Sequence, residues 1–305
     1  MNVLITGATG LLGSALLRSQ PKGVNVIGSH HKHLYIPSTS NAQFLPLELK
    51  EQKSVSEIFR LANPQVVIHT AAKSSPDYCE KSRQDAHETN VLGTQRVIEE
   101  ARKYNAAVFL MSSNQVFSGT NPPYAETTPV SPINEYGRQK VANEDYANKH
   151  KHAHIVRLMT MYGWPHPDGT KNSAIWAIEK LTAKEQIKVV DDVYNNFLWV
   201  GQAAQILWKM VKGKTNPKTL HIAGKNALSR YGFVREVAEV FDLDDSLSTP
   251  VPKSYFQDEA PRPLNTIYTT SLLEKIYKVK PLTVHEGLTQ MKKEQKQLSW
   301  DTITI

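Results

Sequence analysis

A glycine-rich turn close to the first residue constrains the fold of this chain more than any other feature. Gly7, Gly10 and Gly13 lie three residues apart, between the apolar run 2–6 and a helical pattern over 11–18. In such a unit the first glycine permits a tight turn, the second lets the backbone approach a pyrophosphate, and the third allows close packing of helix on strand. The helix N-terminus then offers free N–H groups to an anion. The pattern therefore predicts a dinucleotide-binding unit.

Apolar runs alternate with helical patterns through the first half of the chain. One strand and one helix recur about every 30 residues, which predicts right-handed crossovers and a doubly wound parallel sheet. The fold class is therefore α/β, of the Rossmann type, with a smaller C-terminal lobe. We expect residues 1–162 to form the dinucleotide-binding domain with the catalytic residues, and residues 163–305 mainly a substrate-binding lobe whose late strands return to the sheet. The predicted strands are 2–6, 24–28, 65–69, 107–111 and 154–159, and later helices are predicted at 55–62, 86–104 and 136–150.

The composition argues against several classes of protein. Of 305 residues, 40% are hydrophobic and 21% charged, which is ordinary for a globular protein. The net charge of +7 is spread over short clusters without interleaved aromatic residues, so we expect no nucleic-acid partner and infer a preference for phosphorylated small ligands. No apolar run approaches the ~18 residues of a membrane span, no signal-peptide pattern is present and Cys79 is the one cysteine, so we expect a cytoplasmic protein without a membrane partner. No His/Cys/Asp spacing matches a zinc site, and we expect no metal.

The end of the second predicted strand bears on the choice of dinucleotide. An acidic residue there would bind the ribose hydroxyls of NAD, but this chain has Ser29, His30, His31 and Lys32 after Gly28. Serine, histidine and lysine side chains can hydrogen-bond and neutralise a 2′-phosphate. We therefore favour NADP(H) over NAD(H), with a merely solvated loop as the alternative.

Tyr136 and Lys140 form a YxxxK pair on a predicted helix. Residues four apart share one helix face, and a neighbouring ammonium favours the ionised phenol, so we expect Lys140 to lower the pKa of Tyr136. Tyr136 could then exchange a proton with a substrate carbonyl or hydroxyl. Ser113 follows the fourth strand, at the sheet edge where ligands bind, and could hydrogen-bond the same oxygen. Together these residues predict hydride transfer at a carbonyl beside a nicotinamide.

Longer motifs carry a resemblance to a known family. The chain resembles the extended short-chain dehydrogenase/reductases of the NAD-dependent epimerase/dehydratase superfamily, and within them dTDP-4-dehydrorhamnose reductases and their relatives. The most specific match is PPYAETTPVSPINEYGRQKVANED, from Pro122. The other matches are TGATGLLG at Thr6, HTAAKSSPDYCE at His69, ETNVLGT at Glu88, SSNQVFSG at Ser112, RLMTMYGW at Arg157 and APRPLNTIYTTSLLE at Ala260.

This resemblance implies an NADP(H)-dependent reductase of a nucleotide-diphospho-4-keto-6-deoxysugar. It implies that Tyr136 donates the proton, that Lys140 lowers the pKa of the phenol and binds ribose, and that Ser113 polarises the carbonyl. A homodimer is one implied assembly, and the oligomeric state stays open. The expected substrate contacts are Lys73, Asn114, Gln115, Thr160, Trp164 and Arg262. Besides Tyr136 and Lys140, the expected cofactor contacts are Gly7, Thr9, Gly10, Leu11, Leu12, Gly13, Ser29, His30, His31, Lys32, Glu48, Leu49, Thr70, Ala71, Ala72, Asn90, Met111, Ser112 and Leu158.

Departures from the family pattern keep alternatives open. Asn114 and Gln115 stand where the family typically has Asp-Tyr, which leaves the sugar undetermined. A dehydratase would need an ionisable acid/base pair beside Ser113, so these amides argue against dehydration, whereas a nucleotide-sugar epimerase remains an alternative. A second alternative is a non-catalytic NADP-binding regulatory subunit like the beta subunit of methionine adenosyltransferase. Arg262, in an RP motif, could bind a diphosphate bidentately or form a structural salt bridge.

Overall fold

A parallel sheet forms the centre of the chain in a computed structural model that describes residues 1–31, 35–213 and 215–302. Within these ranges seven strands join it in the order β7-β6-β5-β4-β1-β2-β3, so the chain winds outward in both directions from β1. This order is that of a doubly wound sheet and confirms the predicted α/β fold class. The strands are β1 Asn2–Thr6, β2 Asn25–His30, β3 Gln43–Pro46, β4 Val66–His69, β5 Ala107–Ser113, β6 Ala153–Leu158 and β7 Thr219–Ile222.

The inner strands are buried on both faces, which explains their continuous apolar sequences. Val3 and Ile5 of β1 face one core cluster, and Leu4 between them faces the other. The five strands predicted from such runs are confirmed to within two residues at each end. Gln43–Pro46 was not predicted, because an edge strand that is exposed at both ends has no apolar run.

Helices cover both faces of the sheet. α1 (Leu11–Arg18) and α8 (Val200–Lys212) pack on one face, and α2 (Gln52–Ala62) and α5 (Gly93–Lys103) pack on the other. The predicted helix over 86–104 is divided into α4, a π-helical turn at Glu88–Leu92 and α5. The bounds in this part are α1 Leu11–Arg18, α2 Gln52–Ala62, α3 Pro76–Lys81, α4 Arg83–His87, α5 Gly93–Lys103, α6 Glu135–Asn148 and α8 Val200–Lys212.

A separate core cluster lies in the C-terminal lobe. Phe197, Phe233 and Leu288 are among its buried side chains. Its helices are α7 Ser173–Thr182, α9 Arg230–Phe241, α10 Ser271–Tyr277 and α11 Val284–Gln295. Short strands pair as Met161–Tyr162 with Leu198–Trp199, Ile187–Val190 with Ser248–Val251, Tyr194–Asn195 with Leu228–Ser229, and Tyr35–Pro37 with Trp300–Thr302. Among the described residues, none of the helices combines the length and the hydropathy that crossing a bilayer would take.

Candidate active site

The glycine turn lies between β1 and α1, as predicted. Gly7 has φ of +68°, and a Cβ there would lie 2.8 Å from the Cα of Ala71. A Cβ on Gly13 would lie 2.4 Å from the carbonyl oxygen of Gly7, so the helix can approach the turn only without a side chain at this position. Gly10 is the N-cap residue of α1, so no cap side chain occupies the first N–H groups of the helix. These uncovered donors fit a dinucleotide phosphate.

A buried hydrogen-bond network supports the turn from the neighbouring strand. The Thr6 hydroxyl lies 2.7 Å from Nδ1 of His69, and Nε2 of His69 lies 2.9 Å from the Thr94 hydroxyl. The Thr70 hydroxyl donates to the carbonyl oxygen of Thr6 at 2.6 Å. Burial, and then the charge of Lys140, lowers the pKa of His69 to about 3, so the imidazole is neutral at physiological pH. His69 was not predicted as a site residue, although its place at a strand end beside expected cofactor residues was a usable signal.

The end of β2 differs in part from its prediction. The Ser29 side chain is buried and accepts a hydrogen bond from the amide of Gly7 at 3.0 Å, so it braces the turn. His30 is buried too, and burial followed by the charge of His31 lowers its pKa, which leaves it neutral. His31 is exposed, and its Nε2 lies 2.9 Å from a carboxylate oxygen of Glu48. An acidic residue, Glu48, therefore does lie near the end of β2, and it comes from the segment after β3.

The remaining expected cofactor residues cluster at the carboxyl edge of the sheet. Thr9, Leu11 and Leu12 belong to the turn and the start of α1, Ala72 follows β4, Met111 lies in β5 and Leu158 ends β6. Leu49 is buried and packs close to the α-carbon of Gly93. Lys32 lies outside the described residues.

The predicted catalytic residues come together at the end of β5. The Asn134 side chain caps α6 by accepting from the amide of Gly137, which places Tyr136 in the first turn. Nζ of Lys140 donates to the carbonyl oxygen of Met111 at 2.8 Å and lies 5.5 Å from the centre of the Tyr136 ring. Tyr136, Lys140 and Ser113 are all buried. The arrangement joins a phenol, an ammonium and a hydroxyl at the sheet edge where ligands bind.

Burial controls the ionisation of this group. It raises the pKa of Tyr136, the Cys79 thiol adds to the rise, and the Ser113 hydroxyl opposes it. Burial also lowers the pKa of Lys140 to about 8. Burial disfavours the phenolate more than the neighbouring groups stabilise it, so the pKa of Tyr136 is raised where a fall was expected. The site therefore combines a neutral phenol, Tyr136, with an ammonium, Lys140, whose pKa is about 8. The stabilisation of the tyrosinate by Lys140 stays a prediction.

Asn90 lies in the π-helical turn and joins three elements. Its Oδ1 accepts from the amide of Lys73 at 2.8 Å, and its Nδ2 donates to the Gln139 side chain of α6 at 2.8 Å. Its carbonyl oxygen accepts from the Asn143 side chain at 2.8 Å. Asn90 is buried, and its polar groups hold α6 against the loop after β4. It therefore supports the site architecture, and its expected contact with the cofactor stays a prediction.

Ser112 points away from the expected cofactor site. Because successive side chains of a strand alternate between faces, Ser112 and Ser113 face opposite sides of β5. The Ser112 hydroxyl donates to the Glu144 carboxylate, which also accepts from Nη2 and Nε of Arg157 at 2.7 Å and 2.9 Å. The Ser112 side chain thus hydrogen-bonds to a buried ion pair behind the sheet edge. Only the backbone of Ser112 is left for the expected contact with the cofactor.

The side chains of Asn114 and Gln115 form hydrogen bonds with other residues of the chain. Asn114 is buried, its Nδ2 donates to the Thr266 hydroxyl at 2.7 Å and to Oδ1 of Asn195 at 3.2 Å, and its Oδ1 accepts from Ser113 at 3.2 Å. Oε1 of Gln115 accepts from the N-cap side chain of α6 at 2.7 Å. The side chain of Asn114 thus connects the lobe to Ser113, and its expected direct contact with substrate stays a prediction.

The other expected substrate residues have mixed surroundings. Nζ of Lys73 lies 5.4 Å from the ring centre of Tyr78, on the loop after β4. Thr160 follows β6 and is half-buried. Trp164 donates from its indole nitrogen to the carbonyl oxygen of Met291 at 2.8 Å and packs in the lobe core. The structure therefore gives Trp164 a packing role, and its expected contact with substrate stays a prediction.

A cavity of about 400 Å³ opens in the lobe. Asp258 lies in its wall, and Arg262 lines it while its Nη2 contacts Oδ2 of Asp77 at 2.6 Å. Both interpretations of Arg262, a salt bridge and a ligand contact, are therefore compatible with its position. Aromatic rings in the wall are Trp176, Phe197, Phe233 and Phe256, and its other cationic side chains are Lys171, Lys188, Arg230 and Lys253.

One group of potential metal ligands lies elsewhere on the lobe surface. Ligand atoms of Glu236, Glu239 and His285 lie within 4.8 Å of one another on α9 and α11. Carboxylates at a solvated surface often gather without an ion, so we assign this group no metal.

Comparisons with known proteins agree with this architecture. The RmlD substrate binding domain family matches residues 1–297. The chain belongs to this family. Methionine adenosyltransferase 2 subunit beta of Xenopus tropicalis is 27% identical over 281 residues, covering 90% of this chain and 81% of that protein.

Two solved structures share the fold of this RmlD-family chain. The dTDP-4-dehydrorhamnose reductase of Bacillus anthracis, in complex with NADP, has a TM-score of 0.84 and 24% identity, covering 96% of this chain and 98% of that one. The dTDP-4-dehydrorhamnose reductase of Clostridium acetobutylicum has a TM-score of 0.83 and 25% identity, covering 97% and 100%. The family and these neighbours thus associate the fold with reduction of nucleotide sugars.

Proposed function

We propose that the chain is an NADP(H)-dependent reductase of a nucleotide-diphospho-4-keto-6-deoxysugar. The observation that carries this proposal is the convergence of Ser113, Tyr136 and Lys140 at the end of β5, on the same sheet edge as the glycine turn. Hydride transfer to a carbonyl needs a proton donor held beside the dinucleotide, and this arrangement supplies one. Membership of the RmlD substrate binding domain family supports the substrate class.

The glycine turn would hold the cofactor diphosphate through the uncovered N–H groups of α1. When bound, NADPH supplies the hydride. The exposed imidazole of His31 is available to a 2′-phosphate, provided that it exchanges its partner Glu48 for the phosphate. The NADP in the Bacillus anthracis reductase supports this choice of cofactor.

The proton would come from Tyr136, which burial keeps neutral until the carbonyl oxygen develops negative charge. The Ser113 hydroxyl would donate a hydrogen bond to the same oxygen and leave its present acceptor, Asn114. Lys140 would stabilise the tyrosinate that remains after proton transfer, since its ammonium is close to the ring. Hydride addition to carbon and protonation of oxygen give the alcohol, and solvent then reprotonates Tyr136.

The lobe cavity would hold the nucleoside diphosphate part of the substrate. Its aromatic walls suit a base, and its cationic side chains suit phosphates. Asn114 beside Ser113 cannot ionise and is bound to the lobe, which favours reduction over dehydration. The similarity to methionine adenosyltransferase 2 subunit beta supports the alternative, a regulatory role.

The test follows NADPH absorbance with a panel of dTDP- and UDP-linked 4-keto-6-deoxysugars. We expect stoichiometric oxidation of NADPH with at least one of them, and a loss of at least about 100-fold in kcat for Tyr136→Phe, the range typical of a removed general acid. The affinity of the variant for NADPH should stay within about threefold, because the phenol contributes little to phosphate binding. Tight NADPH binding, no turnover across the panel and a co-purifying protein partner would favour the regulatory alternative.

A further inference from the structure

A lobe loop over residues 258–262 crosses to the catalytic half and is held there by Asp77 of α3. Oδ1 of Asp77 accepts from the amide of Ala260 at 3.1 Å, and Oδ2 accepts from Nη2 of Arg262 at 2.6 Å. Both oxygens of one carboxylate therefore hold the same loop, and Ala260 is fully buried in the contact. Asp77 itself does not line the cavity wall described above.

The loop is fixed to the catalytic helix as well. The carbonyl oxygen of Pro261 accepts from Nδ2 of Asn134 at 2.9 Å, while Oδ1 of Asn134 accepts from the amide of Gly137 at 2.8 Å and caps α6. One asparagine thus contacts the lobe loop and sets the first turn of the helix that carries Tyr136. The position of the loop is therefore coupled to the catalytic group.

Arg262 is presented to the cavity with part of its hydrogen-bonding capacity unused. Its side chain is 16% exposed, Asp77 takes Nη2, and the nearest oxygen of Asp258 is 4.0 Å from Nε. Arg230 lines the same cavity, where burial and then the positive charge of Arg262 lower its pKa, while the carboxylate of Asp258 opposes this fall. The positive charges of the two guanidinium groups repel each other, and an anion bound in the cavity would reduce this repulsion.

We propose that Asp77 is a positioning residue that presents Arg262 to the diphosphate of the substrate. The inference rests on the proposed function. Asp77 fixes one guanidinium nitrogen, so the remaining N–H groups keep one orientation in the cavity and lose little rotamer freedom when a phosphate binds. Through Ala260 and Pro261, the same contact aligns the phosphate site with α6.

The test measures dTDP and UDP binding by calorimetry for the full chain and its variants. Asp77→Ala should weaken diphosphate binding about tenfold, the scale of one charge-assisted contact. In the Arg262→Ala background, the same change should have little further effect, because Asp77 acts through Arg262. Unchanged NADPH affinity for both variants would show that the chain remains folded.

The matched control is Glu259→Gln. Glu259 pairs with Lys81 of α3 at 3.0 Å, so it joins the same loop to the same helix, but both side chains are exposed, at 57% and 60%. Its loss should change diphosphate affinity by less than about twofold.

Three results would overturn the inference. Asp77→Ala could bind dTDP as tightly as the unchanged chain or more tightly, which would make Asp77 neutral or a competitor of the phosphate. The loss could persist in full without Arg262, which would indicate a general structural effect. If the unchanged chain binds neither dTDP nor UDP, the proposed function fails and the inference fails with it, whereas the first two results leave the proposed function standing.

Discussion

Replacing Arg157 by methionine should destabilise the chain more than most single changes. The Arg157 and Glu144 side chains are only 7% and 4% exposed and share two hydrogen bonds, and the Ser112 hydroxyl also depends on the carboxylate. Without the guanidinium, Glu144 keeps a buried charge whose remaining hydrogen bond, among the described residues, comes from the Ser112 hydroxyl. Removing one partner of such a pair typically costs about 3–5 kcal/mol. We expect a loss of this size in the free energy of unfolding.

Urea unfolding with Glu144→Gln and the double variant separates the buried charge from packing. The double variant leaves no charge in the site, so its loss should be smaller than that of Arg157→Met alone, and the coupling between the two changes should be at least about 1 kcal/mol. Arg102→Met is the control, since Arg102 pairs with Glu99 at an exposed surface and should cost less than about 1 kcal/mol. A loss below about 1 kcal/mol for Arg157→Met, or strictly additive losses, would refute the reasoning.

Three further predictions concern the turn, the histidines and the thiol. Gly13→Ala should weaken NADPH binding at least about 100-fold in fluorescence titrations, since its Cβ would lie 2.4 Å from a backbone oxygen. The control is Gly232→Ala on α9, whose Cβ would meet only ordinary contacts from 3.4 Å outward, and it should leave binding unchanged. Burial lowers the pKa of His69 and of His221 to about 3, so only the unfolded chain takes up these protons between about pH 6.5 and pH 3. The free energy of unfolding should therefore decrease as the pH is lowered through this range, by up to about 1.4 kcal/mol per pH unit for each histidine. In urea titrations, His221→Gln should make this dependence on pH shallower. Burial raises the pKa of the Cys79 thiol to about 11, so iodoacetamide should label it slowly in the folded chain and quickly in urea; equal rates would contradict this burial.

Local patterns in the sequence were enough to predict most of the sheet and the residues of the candidate site. The glycine spacing, the YxxxK pair and the strand-end serine each depend on the geometry of one turn, helix or strand. The direction of the Tyr136 pKa shift could not be predicted in the same way, because it depends on how completely distant segments exclude water from the phenol. Ser112 and Ser113 are likewise equivalent in sequence, and only the observed pleat assigns one to each face.

The tryptophans of the lobe illustrate a second limit of prediction from the sequence. Trp164 was expected to contact substrate, and no periodicity in the sequence distinguishes it from Trp176. Trp164 is fixed by a hydrogen bond to α11, whereas Trp176 lies in the cavity wall. Their difference arises from the packing of helices that are distant in sequence, which a local pattern does not contain.

The polar contacts that fix α6 limit which changes of sequence this protein could accept. The helix meets its neighbours through Gln139, Lys140, Asn143 and Glu144, each of which has a directional partner. A helix held on apolar side chains can shift by a fraction of a turn and repack, but hydrogen bonds of this kind admit one rotation and one height. Substrate preference can therefore diverge through the lobe, while insertions or deletions within α6 would disconnect all of these partners at once.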